Sequence, residues 1–334
     1  MAVSELTFRT ELLRMARGYW MSQVLFAAAD LRIFETVARD ATTAEEIART
    51  RGTDLEATRR LLNGCVAVGL LTKSSGRYRN APIAEALLVP GRPGYLGHWI
   101  ALMHRFYGVW GKLPEALLTG KPVGLPAQAG PLEDTEAFAL AMHEFALANG
   151  REFADRVELA GRRRLLDVGG GVGSYAMMLV QRYPDLAATV FDVAPMVELA
   201  KRVIAQAGLE NRITTSSGDY GRDRLGTGYD AALLSNVLHQ EDVEVCRRIL
   251  RSVFDALEPG ALVMIHGIHV NQEGTGPQWP ALQSLLQMLL WGGRVYSVEE
   301  TVALLADTGF RAATVVSLSL LNGGTIISAE RPIH

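Results

Sequence analysis

The stretch Leu-Leu-Asp-Val-Gly-Gly-Gly-Val-Gly-Ser at residues 165–174 decides the fold of this chain. It joins a short apolar strand to a glycine turn and then to a helix, and Asp192 closes the next strand about twenty residues later. Glycines let a ligand approach the backbone closely, and the amides that open a helix favour a negatively charged group. A carboxylate at Asp192 can accept hydrogen bonds from both hydroxyls of a ribose. The stretch therefore predicts a nucleoside-cofactor site.

The glycine spacing narrows the choice of cofactor. The pattern is Gly169-x-Gly171-x-Gly173, whereas the dinucleotide fingerprint has its third glycine further on, where it packs the helix against the sheet. Dinucleotide binding is therefore disfavoured.

Strands and helices alternate along the chain after Arg164. This alternation predicts an α/β fold with a doubly wound, Rossmann-like sheet. The predicted strands are Leu165–Val168, Ala188–Phe191, Ile213–Ser216, Ala231–Leu234, Leu262–His266, Ala313–Ser317 and Thr325–Ser328. The connection Leu318–Gly323 is too short for a helical crossover, so the last two strands should pair antiparallel at an edge.

The N-terminal part has the pattern of a winged helix. Apolar residues recur at helical spacing from Glu11 to Val37, with an interruption near Asp30. A helix with a capping-type start follows at 42–48, a second runs from Asp54 to Val68, and residues 76–78 form the tip of a predicted hairpin. Winged helices often bind DNA.

The charges of this winged helix argue against DNA binding. Its second helix begins Asp54-Leu55-Glu56, with acids where a recognition helix would meet phosphates, and Arg59-Arg60 is only a small basic patch.

Composition limits the class of protein further. The 334 residues carry a net charge of -3, so no overall positive field holds nucleic acid or an anionic membrane. Cys65 and Cys246 cannot make a disulfide framework and are expected to be buried in helices. Neither a signal peptide nor an apolar run long enough to span a bilayer is evident. We therefore expect a cytoplasmic protein.

A helical region rich in aromatic residues, Met and His lies between Pro90 and Arg156. The Gly- and Pro-rich loop Thr119–Pro131 divides it in two. Most of these side chains should belong to the core, because apolar stripes at helical spacing usually do, and a minority should line a pocket.

The glycine stretch resembles motif I of the S-adenosylmethionine-dependent methyltransferases. Phe191-Asp192, Gly218-Asp219-Tyr220 and Leu257-Glu258-Pro259-Gly260 resemble later landmarks of that family in the expected order. Over nearly its whole length the chain resembles the small-molecule O-methyltransferases related to plant caffeate and bacterial antibiotic-tailoring enzymes. The resemblance implies S-adenosyl-L-methionine as cofactor and a homodimer. It also implies a winged-helix dimerisation domain at 1–90, a helical linker and pocket region at 91–158, and a catalytic domain at 159–334.

The carboxyl ends of the strands and the resemblance together select the cofactor residues. The resemblance assigns Asp192 to the ribose, Asp219 and Tyr220 to the adenine, and Ser235 to the methionyl part. The alternative for Ser235 and Asn236 is that they only cap a strand end. The predicted cofactor-binding set is Asp167, Gly169, Gly171, Gly173, Asp192, Val193, Gly218, Asp219, Tyr220, Ser235 and Asn236.

His239 is the predicted catalytic residue. It follows a strand end, where the resembled enzymes carry the histidine that deprotonates the acceptor hydroxyl, and an imidazole of near-neutral pKa suits that task. The alternative is a structural histidine that caps a helix or satisfies a polar neighbour.

The surroundings of this histidine depart from the family pattern. The usual Asp-Trp is replaced by Gln240-Glu241, and the two supporting acids fall at His266 or Gly267 and at Val295. Without those carboxylates an imidazolium is less stabilised, unless Glu241 or Asp242 substitutes.

The acceptor should be a small aromatic or polyketide-like molecule, methylated on oxygen. Methylation of carbon or nitrogen, a non-methylation reaction on the same fold, and a ligand-responsive winged-helix regulator remain alternatives. No metal is expected, because His266 and His269 lack the spacing of a ligand pair and a nearby acid. The predicted substrate-binding set is Met103, Phe106, Tyr107, Trp110, Met142, His143, Asn236, Met288, Trp291 and Tyr296.

Overall fold

A computed structural model describes residues 5–124, 132–318 and 324–333. The chain falls into two units, Met1–Phe106 and Tyr107–His334. Parts of the predicted loop Thr119–Pro131 and of the connection Leu318–Gly323 lie outside the described residues. The three-part domain division at 1–90, 91–158 and 159–334 stays a prediction.

The first unit contains the predicted winged helix. The capping box of Thr43 and Glu46 begins its fourth helix, and the Asp54 carboxylate accepts from the Ala57 amide at 2.8 Å to begin the fifth. Its core packs Phe34, Ile47 and other buried side chains. Its elements are α1 (Glu5–Arg17), α2 (Tyr19–Asp30), α3 (Ile33–Ala38), α4 (Ala44–Arg51), α5 (Leu55–Ala67), β1 (Leu71–Ser74), β2 (Arg77–Asn80), α6 (Pro82–Leu87) and most of α7 (Gly97–Trp110).

The second unit alternates strands and helices, and every predicted strand is present. Its elements are α8 (Leu113–Thr119), α9 (Leu132–Arg156), β3 (Arg164–Val168), α10 (Ser174–Arg182), β4 (Ala187–Asp192), α11 (Ala194–Gln206), β5 (Ile213–Ser217), β6 (Tyr229–Ser235), a 3-10 helix (Leu238–Gln240), α12 (Val243–Ala256), β7 (Leu257–Ile268), α13 (Gln278–Leu290), α14 (Val298–Thr308), β8 (Arg311–Ser317) and β9 (Gly324–Glu330).

These strands form one seven-stranded sheet in the order β5-β4-β3-β6-β7-β9-β8. Strands β5, β4, β3, β6 and β7 are parallel, and β9 pairs antiparallel with both β7 and β8, as the short connection predicts. The chain turns outward in opposite directions from β3 and β6. Ligands of open α/β sheets bind at such a switch point, outside the carboxyl ends of the strands.

Several other predictions can be compared with the described part of the chain. Cys65 and Cys246 are buried and unpaired, as expected. None of the described helices is long and apolar enough to cross a membrane. No described group of three or more His, Cys, Asp or Glu side chains is arranged to hold a metal ion.

Candidate active site

The glycine turn after β3 packs directly on the segment that carries His239. Gly169 has a φ of +64°, and a Cβ there would lie 2.8 Å from Cγ2 of Val237. Gly171 also has a positive φ, +59°, but a Cβ there would meet nothing within 4 Å. Gly169 is therefore required by packing against Val237, whereas Gly171 leaves open space beside the turn.

Asp192 joins the glycine turn to the end of β4. Its Oδ2 accepts from the Gly171 amide at 2.9 Å and its Oδ1 from the Val193 amide at 2.7 Å. The side chain is buried, and burial raises its pKa against the lowering effect of these two amides. An ionised carboxylate has about four acceptor sites, so two remain for further donors. A buried acceptor of this kind fits the two hydroxyls of a ribose.

Asp167 lies beneath the same turn. A Cβ on Gly170 would stand 2.6 Å from its Cγ, and its Oδ1 has no hydrogen-bond partner among the described residues. Burial, with Asp192 as a second cause, raises the pKa of Asp167 to about 7. A buried orphaned acceptor at this place is consistent with a cofactor-binding residue.

The loop after β5 brings the predicted adenine residues to the same edge of the sheet. The Gly218 amide donates to the Asp192 carbonyl at 3.0 Å. Asp219 accepts from the Gly221 amide at 2.8 Å, and the Tyr220 hydroxyl donates to Oε1 of Glu241 at 3.1 Å. This loop thus contacts both β4 and the segment after His239.

Ser235 ends β6, and Asn236 follows it. The Ser235 hydroxyl lies 2.8 Å from Nδ1 of His266, and the Asn236 amide donates to the His266 carbonyl at 2.8 Å. Asn236 has a left-handed φ of +58°. A positive φ is uncommon in residues other than glycine. Here it turns the chain sharply from β6 into the 3-10 helix.

His239 lies in that 3-10 helix and is partly buried. Burial, with His269 as a second cause, lowers the pKa of His239 to about 4. His239, His266 and His269 line one small cavity. The imidazole is therefore neutral at physiological pH and able to accept a proton.

The carboxylates next to His239 make bonds elsewhere. Asp242 caps α12 by accepting from the amides of Glu244 and Val245, both at 2.9 Å. Glu241 accepts from Tyr220. At the two positions where the resembled family has acids, His266 binds Ser235, and Val295 is buried.

The predicted acceptor residues lie on α7, α9 and α13, in the loop after α13 and, for Asn236, just after β6. On α9, Nδ1 of His143 lies 2.8 Å from Oγ of Ser174, the first residue of α10. Met288 and Tyr296 line a cavity of about 530 Å³, whereas the Trp291 ring meets the Phe138 ring edge-on at 6.4 Å. Helix α13 also packs on the 3-10 helix.

The remaining acceptor predictions lie on α7 and α9. Met103 and Phe106 belong to the first unit, and Tyr107 and Trp110 to the second. Tyr107 is exposed, and the other three and Met142 are partly buried. Their role stays a prediction.

The predicted site residues do not include Tyr175, Cys246 or Gly293. Tyr175 is partly buried and packs against Phe153 and His266, at ring distances of 4.9 and 5.0 Å, and burial raises its pKa to about 12. A tyrosine just after the glycine turn is the only signal that could have revealed it. Cys246 and Gly293 contact the backbone of the His239 segment, which residue types and spacing do not show.

The sheet order, the glycine turn after β3 and the buried acid at the end of β4 together define a nucleoside-cofactor enzyme of the methyltransferase fold. Residues 124–311 match the O-methyltransferase domain family, and residues 13–90 match the O-methyltransferase dimerisation domain. The chain belongs to the S-adenosylmethionine-dependent O-methyltransferases.

Individual relatives include both an O-methyltransferase and an N-methyltransferase. The chain is 37% identical over 306 residues to 3-hydroxy-5-methyl-1-naphthoate 3-O-methyltransferase of Streptomyces sahachiroi, covering 90% of this chain and 89% of that protein. It is 31% identical over 334 residues to an N,N-dimethyltransferase of Streptomyces rimosus, covering 96% of each. Human N-acetylserotonin methyltransferase in complex with S-adenosylmethionine superimposes with a TM-score of 0.88 at 26% identity, covering 99% of this chain and 100% of that one.

Proposed function

We propose that this enzyme methylates a hydroxyl group of a small aromatic or polyketide-like acceptor, with His239 as the general base. The contact between Gly169 and Val237 carries this proposal, because it sets the His239 segment directly against the glycine turn. In-line displacement needs the acceptor oxygen about 3 Å from the transferred methyl carbon, so the base and the cofactor must lie side by side.

The cofactor supplies a methyl group made electrophilic by a sulfonium sulfur. In this proposal Asp192 binds the ribose, Asp219 and Tyr220 contact the adenine, and Ser235 contacts the methionyl part. The glycine turn and Val193 hold the Asp192 carboxylate in place through their amides. Asp167, buried beneath the glycine turn, is a further acceptor on the cofactor side of the proposed site.

His239 takes the proton of the acceptor hydroxyl. Its lowered pKa keeps the imidazole unprotonated, so the base needs no prior loss of a proton at neutral pH. A base of low pKa removes protons best from an acidic hydroxyl, which favours a phenol over an aliphatic alcohol.

The walls around this segment are also suited to an aromatic acceptor. Helix α9 contacts α10, the helix that follows the glycine turn, through His143 and Ser174, and Phe138 and Trp291 join α9 to α13. Aromatic side chains bind planar ligands through offset or edge contacts. The naphthoate named for the Streptomyces sahachiroi relative is an acceptor of this class.

We further propose a cytoplasmic homodimer that does not bind nucleic acid. Residues 13–90 match a dimerisation domain, and α1 exposes the apolar side chains of Phe8, Leu12 and Met15 on one face. Two glutamates neutralise the basic pair of the winged helix, because Arg59 binds both Glu45 and Glu56 and Arg60 binds Glu56. We propose the cytoplasm because the two cysteines are buried and unpaired, as is usual for proteins of a reducing compartment.

Methyl transfer from labelled S-adenosylmethionine tests the proposal. The acceptors would be hydroxynaphthoates, polycyclic phenols and a saturated alcohol of similar size, with product analysis to locate the new methyl group. We expect labelled aryl methyl ethers and no product from the alcohol. Transfer to the alcohol alone, or binding of the cofactor without turnover on any acceptor, would contradict it.

N-methylation is a second candidate, favoured by the N,N-dimethyltransferase among the relatives. A neutral amine needs less help from a base, which agrees with the lowered pKa of His239. Aminonaphthalenes in the same assay distinguish the two, because a preference for the amine over its matched phenol would favour nitrogen.

A further inference from the structure

We propose that the loop from Gly292 to Tyr296 is a positioning device for His239, which it holds through the backbone of the 3-10 helix. This inference rests on the proposed role of His239 as base. We call Gly293, Tyr296 and Cys246 the clamp, because all three act on the segment from Leu238 to Glu241.

The phenol of Tyr296 makes the central bond of the clamp. Its hydroxyl donates to the Glu241 carbonyl at 2.8 Å, and the side chain is buried. The Cys246 thiol lies 3.3 Å from the Leu238 carbonyl oxygen and 3.7 Å from the Tyr296 hydroxyl. The two groups therefore hold the carbonyls on both sides of His239.

Gly293 lies against the peptide of His239 itself. A Cβ at this position would stand 2.4 Å from the His239 carbonyl oxygen and 2.6 Å from that of Gln240. Both neighbours are backbone atoms, which cannot move aside by changing a rotamer. Any side chain at position 293 would therefore displace the turn that carries the base.

Neighbouring residues hold Tyr296 of the clamp in place. The Arg294 guanidinium stacks on the Tyr296 ring at 4.2 Å from its centroid and binds both carboxylate oxygens of Glu300 at 2.7 and 3.1 Å. Glu300 also accepts from the Ser297 amide in the capping box that begins α14. Tyr296 is thus held in one place by a stacked, bidentate ion pair.

This arrangement explains how a base can be oriented when the carboxylates beside it are engaged elsewhere. A displacement of about 1 Å at a reacting group costs about a hundredfold in rate. Rigid support of the backbone around His239 supplies the orientation that a carboxylate bonded to the imidazole would supply.

Tyr296→Phe tests the clamp, because it removes one hydroxyl and keeps the ring that stacks on Arg294. We expect the single-turnover rate with a phenol acceptor to fall about tenfold, with KM for the acceptor and calorimetric affinity for the cofactor changed less than about twofold. Tyr183→Phe is the matched control, since the Tyr183 hydroxyl donates to the Val157 carbonyl at 2.6 Å away from the site. It should leave the rate unchanged.

A double-mutant cycle with His239→Ala separates positioning from general structural damage. In the His239→Ala background Tyr296→Phe should have no further effect, because there is no imidazole to position. Additive losses, or a matching loss of cofactor affinity in Tyr296→Phe, would overturn the clamp. If His239→Ala itself leaves the rate unchanged, the proposed base fails instead.

Gly293→Ala is a second, independent variant. It should lower the rate more than Tyr296→Phe does, while Gly64→Ala, whose Cβ would meet Val24 at an ordinary 3.6 Å, should not. Circular dichroism and the melting temperature confirm that both variants fold. A folded Gly293→Ala enzyme with the wild-type rate would overturn the proposal.

Discussion

The hydroxyl of Tyr220 donates a hydrogen bond of 3.1 Å to Oε1 of Glu241, whose own carbonyl accepts from Tyr296. Glu241 thus joins the loop after β5, which carries the predicted adenine residues, to the clamp. The ring of Tyr220 also lies 3.4 Å from the position of a Cβ on Gly169. The predicted cofactor side and the predicted base side are therefore parts of one hydrogen-bonded network.

Tyr220→Phe should affect both sides of this network. We expect cofactor affinity and the single-turnover rate each to fall a few-fold, because the partly buried hydrogen bond that joins the two sides would be lost. Calorimetry and rapid-quench kinetics measure the two effects. A variant with wild-type affinity and rate would show that this hydrogen bond does not couple the cofactor side to the base side.

Asp192→Ala should weaken S-adenosylmethionine binding by about 2 kcal/mol, because two charge-assisted hydrogen bonds to the ribose would be lost. The amides of Gly171 and Val193 would lose their acceptor as well. Calorimetric titration measures the loss, with the exposed Asp185→Ala as control. Unchanged affinity in Asp192→Ala would remove this carboxylate from the site.

Much of this fold follows from sequence because strand and helix periodicities differ and because glycines mark the turns. Residues 165–174 and Asp192 locate the cofactor edge, since a parallel sheet brings successive strand ends together. The surroundings of His239 could not be predicted in the same way. That Gly293 touches the His239 peptide depends on how the chain returns to the sheet after α13, which local sequence patterns do not show.

The protein should lose stability on mild acidification because of its buried histidines. Burial lowers the pKa of His266 to about 3 and of His269 to about 4, from 6.5. The unfolded chain therefore binds protons between pH 6.5 and about 4 that the folded chain does not, so the free energy of unfolding falls across this window as pH falls. Protonation of Asp167, whose pKa of about 7 lies above its unfolded value, opposes part of this loss. We therefore expect a net loss of about 1 kcal/mol between pH 7 and pH 5, measured by urea titration. His266→Asn should reduce the change in the free energy of unfolding between pH 7 and pH 5. An unchanged difference would contradict the effect assigned to this buried histidine.

Light scattering should find a dimer at micromolar concentration. Phe8, Leu12 and Met15 are 63, 68 and 69% exposed on one face of α1, an apolar surface that a second copy can cover. Leu12→Glu should shift the protein toward monomer. Leu118→Glu, at a side chain 88% exposed in the other unit, is the control and should not. A monomeric wild-type protein would contradict the proposed homodimer.

The role of His239 decides between two catalytic models. If it is the general base, His239→Ala should lower the single-turnover rate by about 10²–10⁴-fold with little change in cofactor affinity. Because the imidazole of the wild-type enzyme has a pKa of about 4, its rate should stay level from pH 8 to pH 5 and fall only below that. An enzyme whose base had the usual histidine pKa would begin to lose activity as the pH falls to about 6.5.

The acceptor provides the internal control for this variant. At a pH where an acidic phenol is already ionised no proton need be removed, so the loss caused by His239→Ala should shrink, whereas a loss caused by misfolding would persist. If catalysis rests on proximity alone, the substitution should cost less than about tenfold at every pH. We expect the larger and pH-dependent loss, because the clamp holds this histidine beside the glycine turn. A His239→Ala enzyme that matches the wild-type rate throughout would exclude the base.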